Sequence, residues 1–202
     1  PSPSSDDTTV FQSSAAGALR AVVADHIVQG RVIFPGVGYL EVARAAGATA
    51  LRGVYFLQPL AVETHGLLVE CVMSDGRFEV RTSEAAASES TAVHCSGATA
   101  TGRVRECVKH ASLRTLSHVA DMRARYDSFA VGGLQYGPGY RTLVQGWGGA
   151  SVALARLRAR STHEGTQVHP ADLDDALCTS GVIASRGAHG KTRLPFAVDD
   201  AL

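Results

Sequence analysis

The chain has 202 residues, with 19 basic and 19 acidic side chains, 45% hydrophobic and 19% charged. That balance is ordinary for a soluble globular protein and offers no field to attract a polyanion, which excludes nucleic-acid or acidic-membrane binding as the main function. No apolar run approaches the roughly 18 residues of a membrane span. The polar, acidic opening at residues 1–9 is unlike a signal peptide, so a cytoplasmic protein is expected.

In chain order, residues 1–9 read as a loose leader. Residues 10–25 mix short apolar runs with Ser and Ala, and are expected to form one strand followed by a second at 18–23. Pro35 and Gly36 stop the next segment and open a helix over 37–48, where Leu40, Ala43 and Gly47 share one face at helical spacing. This helix is rich in small residues and expected to be largely buried. Strands are expected at 53–62, 66–73 and 77–82, the last two joined by a Ser74-Asp75-Gly76 turn. An Ala/Ser/Glu-rich loop at 83–90 precedes a further strand at 91–101. The basic, polar stretch 102–127 reads as a link whose end is helical. A Gly/Pro-rich turn at 132–139, strands through 147–160 and a helix from about 172 to 185 complete the chain. The order of strands, buried helix and strands thus occurs twice, without a residue-level repeat.

Metal and redox motifs find little support. Cys71, Cys95, Cys107 and Cys178 include no CxxC spacing, and the eight histidines include no HxxxH or HExxH pair. Reduced thiols and no metal site are expected.

Three constellations carry chemistry. The first is His26-x3-Gly30-x4-Pro35, followed by Gly36 and Val37. A base at a strand end needs a tight turn beside it, which Gly30 permits, and Pro35 sets the entry to the helix. The N–H groups of Gly36 and Val37 at that helix start are suited to polarising a carbonyl oxygen. The second is Gly133-Leu134-Gln135-Tyr136-Gly137-Pro138-Gly139-Tyr140, a rigid turn able to hold the Tyr136 hydroxyl as a donor. The third is His169-Pro170-Ala171-Asp172-Leu173-Asp174-Asp175 with Cys178. On a helix starting near Asp172, Asp174 and Cys178 are i and i+4 and share a face, whereas Asp175 points elsewhere. Each has a plainer reading: a satisfied core histidine, a surface loop with packed aromatics, and helix-capping acids.

Taken jointly, and in this order, the three segments resemble the dehydratase domains of modular polyketide and fatty-acid synthases, with their HxxxGxxxxP, GxxYGPxF and HPxxLDxxxQ/H signatures. Pro35-Gly36-Val37-Gly38-Tyr39-Leu40-Glu41, the strand holding His94-x-x-Gly97, and Leu194-Pro195-Phe196 extend the resemblance over about residues 20 to 200. Two positions depart from the pattern. Cys178 stands where Gln or His is usual, and a thiol is a weak donor. Tyr140 stands where Phe is usual.

The resemblance implies an α+β double hotdog, two antiparallel sheets each wrapped round a central helix, with the last strands of the second unit either outside this chain or supplied otherwise. It implies an N-terminal unit at 1–110, a linker at 111–127 and a C-terminal unit at 128–202. It further implies a hydro-lyase that converts a 3-hydroxyacyl thioester on an acyl carrier protein to the 2-enoyl thioester. His26 is then the base and Asp174 the acid. Gly36, Val37, Tyr136, Pro138 and Cys178 contact substrate. No cofactor is implied beyond the phosphopantetheine arm that carries the substrate. The implied partners are the carrier protein, other synthase domains and a second copy in a homodimer. Alternatives on the same fold are a product-template-like cyclase, a double-bond isomerase, or a catalytically degenerate module with a structural role.

Overall fold

The computed structural model describes residues 8–84, 87–101, 118–149, 152–183 and 195–201. Twelve described strands are grouped into one six-stranded sheet and two three-stranded sheets. The large sheet has the order β1-β6-β7-β8-β4-β12, built from β1 (Thr9–Ser14), β4 (Ala50–Phe56), β6 (Leu67–Ser74), β7 (Arg77–Glu84), β8 (Ala87–Ala100) and β12 (Ala197–Ala201), all antiparallel. Its inward residues alternate, with Leu67, Val69 and Cys71 on β6 and Phe78, Val80 and Thr82 on β7 all buried. This is the period-2 pattern that sets register. The β6–β7 hairpin turns at Asp75 and Gly76, both with positive φ (49° and 70°), the conformation its Asp-Gly pair favours.

The central helix α2 (Gly38–Ala45) lies against this sheet, and buries Tyr39, Leu40 and Ala43 in a core shared with Leu51, Val54 and Phe78. Gly38 is required there, because a Cβ would stand 2.7 Å from the Phe34 ring. A small sheet of β2 (Ile27–Val28), β3 (Arg31–Phe34) and β5 (Leu60–Ala61) leads into the helix. The second sheet, in the order β11-β10-β9, comprises β9 (His118–Ala120), β10 (Leu143–Gly148) and β11 (Ala153–Leu157). With α3 (Met122–Val131) and α4 (Pro170–Cys178), it encloses a second core of Met122, Tyr126, Leu134, Tyr140, Leu143 and Val182. The last strand, β12, lies in the large sheet beside β4, and α3 spans position 127. No described helix is long and apolar enough to cross a membrane.

Several elements differ from expectation. Residues 18–23 form a helix, α1 (Ala18–Val23), instead of a strand. Its inward residues, Leu19, Val22 and Val23, stand at i, i+3 and i+4, a spacing that six residues cannot separate from a strand's by sequence alone. The expected loop at 83–90 is mostly strand: β7 runs to Glu84 and β8 starts at Ala87, with these two residues paired. Cross-strand pairing there overrides weak β propensity. The single strand expected at 53–62 is two strands in different sheets, with Pro59 between them unable to donate to a ladder. The acidic helix begins two residues early because Pro170 occupies its first turn and the His169 ring accepts from Ala171 N–H (3.1 Å). It gives way after Cys178 to a 3-10 turn, Thr179–Val182; the expected end at 185 lies outside the described residues, as does the front of the link, 102–117.

Candidate active site

Gln29 and Gly30 both have positive φ (50° and 78°), which closes the β2–β3 turn two residues wide and returns β3 alongside β2. That return sets Ile33 opposite His26. The His26 Nδ1–H donates to the Ile33 carbonyl at 2.6 Å, while Ile33 N–H donates to the His26 carbonyl at 3.1 Å. A carbonyl only accepts, so the neutral ring carries its proton on Nδ1 and leaves the Nε2 lone pair free. Nε2 lies 3.9 Å from Asp174 Oδ1. Both side chains are buried, with His26 6% and Asp174 7% exposed.

Around this pair stand aromatic rings. Tyr136 and Tyr140 lie 5.5 and 5.3 Å from the His26 ring, and 6.2 Å from each other. The Tyr136 hydroxyl contacts Cys178 Sγ at 3.8 Å. Cys178 is indeed one turn after Asp174 on α4. Burial pushes its thiol up to about 12, with the Asp174 charge adding to the effect, so it is held as S–H. Burial also raises the Asp174 carboxyl above the ordinary carboxylate range, against the opposing pull of His26 and the Tyr136 hydroxyl. Its Oδ2 has no hydrogen-bond partner among the described residues. A buried carboxyl that favours its protonated form can give up a proton to a leaving group.

Gly36 and Val37 occupy the turn ahead of α2. Backbone bonding begins at Gly38 N–H to Pro35 O (2.8 Å), and neither Gly36 nor Val37 N–H has a backbone acceptor among the described residues. The helix they precede packs against α4. Pro138 is placed differently. It is exposed, and its carbonyl accepts from Arg158 (3.0 Å) on the outer side of the turn. It shapes the turn and does not line the buried pair.

Residues outside the three motifs hold the two halves together. Asp25 accepts from Gly139 N–H at 2.6 Å through its side chain and from Gly137 N–H at 2.8 Å through its carbonyl. The rungs Gln135 N–H to Ile27 O and Gln29 N–H to Gly133 O, each 2.8 Å, continue this pairing. Arg160 bridges Asp172 (2.8 Å) and the Gly139 carbonyl (3.0 Å). Glu41 on α2 accepts from Gln167 and Val168 N–H, tying the central helix to the segment that enters α4. Asp175 is fully buried and accepts from Tyr126 Oη (2.9 Å), Thr142 N (2.6 Å) and Thr142 Oγ1 (2.7 Å), so it anchors α4 and faces away from His26. Position offered a hint for Asp25 and Asp175, each next to a motif residue. For Glu41 only an acid on an otherwise apolar helix stood out. His94 is a satisfied core histidine, bonded to Thr82 (2.9 Å) and the Gln58 carbonyl (3.2 Å).

The turn itself demands glycine. A Cβ on Gly137 would collide with the Asp25 carboxylate, and one on Gly139 would stand 2.8 Å from it. Gly137→Ala is therefore expected to displace Asp25 and, with it, the adjacent His26. The cost is about 1–3 kcal/mol, as for other overpacked sites. Urea unfolding checks it, and an unchanged midpoint would show that the turn yields freely.

Comparison with known proteins defines the class. Two family models match, one described as polyketide synthase dehydratase domain over residues 1–96 and one as polyketide synthase dehydratase N-terminal domain over residues 105–201. Among curated proteins, polyketide synthase ThaG of Burkholderia thailandensis is 35% identical over 177 residues, covering 77% of this chain and 3% of that protein. Polyketide synthase PksN of Bacillus subtilis is 28% identical over 217 residues, covering 94% of this chain and 4% of that protein. The dehydratase domain from the CurK module of curacin polyketide synthase superposes with a TM-score of 0.83 at 24% identity, covering 99% of this chain and 79% of that one. That protein has also been solved as two inactive mutants, one with Asp replaced by Asn and one with His replaced by Phe. The fold is the α+β double hotdog, and the chain belongs to the polyketide synthase dehydratase domains. It spans a few per cent of the length of the curated relatives it matches.

Proposed function

We propose that this chain removes water from a 3-hydroxyacyl thioester carried on the phosphopantetheine arm of an acyl carrier protein, leaving the 2-enoyl thioester. The observation that carries the reading is the buried pair: a His26 Nε2 lone pair, directed by the Ile33 carbonyl, 3.9 Å from a carboxyl that burial keeps toward its protonated form. His26 takes the α-proton. The Gly36 and Val37 N–H groups stabilise the charge that builds on the thioester oxygen. Asp174 donates its proton to the departing β-hydroxyl, the C–O bond breaks, and the electron pair closes the new double bond. The front half of the chain supplies the base and the back half the acid. Tyr136 orients the acid, with the Cys178 thiol behind it. The inactive Asp and His mutants of the CurK dehydratase support the same two residue types in this fold. The partners on this reading are the carrier protein and the other domains of a long synthase. The test is incubation with a 3-hydroxyacyl carrier-protein substrate and mass spectrometry. Loss of one water supports the reading, and an unchanged mass over many substrate equivalents overturns it.

A raised carboxyl pKa also fixes a pH dependence. An unfolded Asp titrates near about 3.9. Folded Asp174 titrates higher, so between the two values the native state binds more protons than the unfolded one. The stability associated with this group is complete below the unfolded value and is lost as pH rises through the folded one. Asp174→Asn removes that loss. The variant is expected to melt above wild type at pH 8, with the gap closing as pH falls toward 4; a gap that widens on acidification would show the opposite sign of shift.

A further inference from the structure

The reaction above uses the Asp174 carboxyl but leaves a second buried polar atom beside it unexplained. Tyr140 is 1% exposed, and its hydroxyl has no hydrogen-bond partner among the described residues. Leaving a buried hydroxyl unpaired is costly, and a Phe ring would fill the same space without that cost. The ring cannot readily swing away to find a partner. It sits on the 3-10 turn Pro138–Tyr140, in which the adjacent residue Gly139 is held by Asp25 through its N–H and by Arg160 through its carbonyl. The ring itself is packed against His26 and Tyr136, with His169 edge-on at 6.4 Å. Burial, reinforced by the Asp174 charge, keeps the phenol protonated, so it is available as a donor. The Tyr140 ring and the Asp174 carboxyl both border His26, and each carries a buried oxygen with no hydrogen-bond partner among the described residues.

We infer that the Tyr140 hydroxyl is a substrate contact that donates a hydrogen bond to the β-oxygen of the 3-hydroxyacyl group, alongside the Asp174 carboxyl. The inference rests on the dehydration reading and adds to it a residue that selects the β-hydroxyl. On that reading Gly36 and Val37 serve the thioester oxygen, and Tyr140 joins Tyr136 and the acid on the side of the β-oxygen. Tyr140 transfers no proton. It holds the oxygen in line while Asp174 protonates it, and its bond strengthens as negative charge gathers on the leaving group.

The experiment is Tyr140→Phe, assayed for kcat and KM with a 3-hydroxyacyl pantetheine thioester, for the inhibition constant of the saturated acyl thioester lacking the β-hydroxyl, and for thermal stability. The expected result is a fall in kcat/KM of about tenfold to a hundredfold, the range for one hydrogen bond to a developing charge. The saturated analogue should bind unchanged and the variant should melt at or above wild type. A kcat/KM within twofold of wild type overturns the inference. So does a parallel weakening of the saturated analogue, which would assign Tyr140 to ring packing alone. His26→Ala in the same assay separates the levels. If it is inactive while Tyr140→Phe is silent, only this inference falls; if it retains wild-type turnover, the dehydration mechanism falls as well.

Discussion

His26→Ala is expected to cut the rate of water loss by about 10²- to 10⁴-fold, the usual share of a positioned general base, without unfolding the protein. No other described group can take its place. Asp174, beside it, is biased by burial toward its protonated form and is already used by the reaction as the acid. The tyrosines that line the enclosure are pushed further from ionisation by burial and so cannot serve as bases. The fold should survive because His26 makes one side-chain hydrogen bond, to Ile33, and the backbone bonds on both sides of it remain. Asp174→Asn should be equally slow, since an amide keeps the shape but has no transferable proton. Turnover measured by mass spectrometry, with circular dichroism and melting on the same samples, checks both. A well-folded His26→Ala protein with wild-type turnover would remove the base from the mechanism.

The largest stability effect is expected one residue further along. Asp175→Ala should destabilise the protein by about 3–5 kcal/mol, at or above the top of the usual range for a single substitution, because several buried donors lose their acceptor at once. Asp175 is completely buried, and one of its oxygens gathers the Tyr126 hydroxyl and both the N–H and the hydroxyl of Thr142. The Tyr126 oxygen in turn accepts from Leu143 N–H at 3.0 Å, so the Asp175 carboxyl group ties α4 to α3 and to the start of β10. Alanine leaves three donors unpaired and a cavity beside them. Asn, which keeps an acceptor oxygen, should lose substantially less. Denaturant unfolding of both variants decides the matter. A loss below about 1 kcal/mol for Asp175→Ala would mean that water or a shifted side chain replaces the network.

The contrast between adjacent acids shows where reading the chain succeeds and where it stops. Asp174 and Asp175 are chemically identical and neighbouring, and helical spacing placed Asp174 on the face of Cys178 with Asp175 turned away. The structure agrees with that geometry. Spacing could not reveal that Asp175 is the anchor of the second core, because its three donors come from Tyr126 and Thr142, 49 and 33 positions earlier. Tyr140 presents the same difficulty. Its position in the turn was legible, but the isolation of its hydroxyl is a property of everything packed around it. Pro138 was expected at the substrate and stands on the exposed side, because the turn directs Tyr136 and Tyr140 inward and leaves the ring between them outside.

Local chemistry in the chain settles the turns and the residue types: Gly30 where φ must be positive, Asp-Gly at the β6–β7 hairpin, Pro170 at a helix start, and an imidazole and a carboxyl set in apolar surroundings. These depend on a few adjacent residues and on backbone sterics, which sequence spells out directly. Short elements without strong periodicity, such as the helix at Ala18–Val23 and the strand start at Ala87, were decided by what packs or pairs with them. The meeting of His26 with Asp174 across 148 positions follows from cross-chain clamps at Asp25, Glu41 and Arg160, and the bias of Asp174 toward its protonated form follows from burial. Solvent exclusion and long-range contact exist only once the chain is folded.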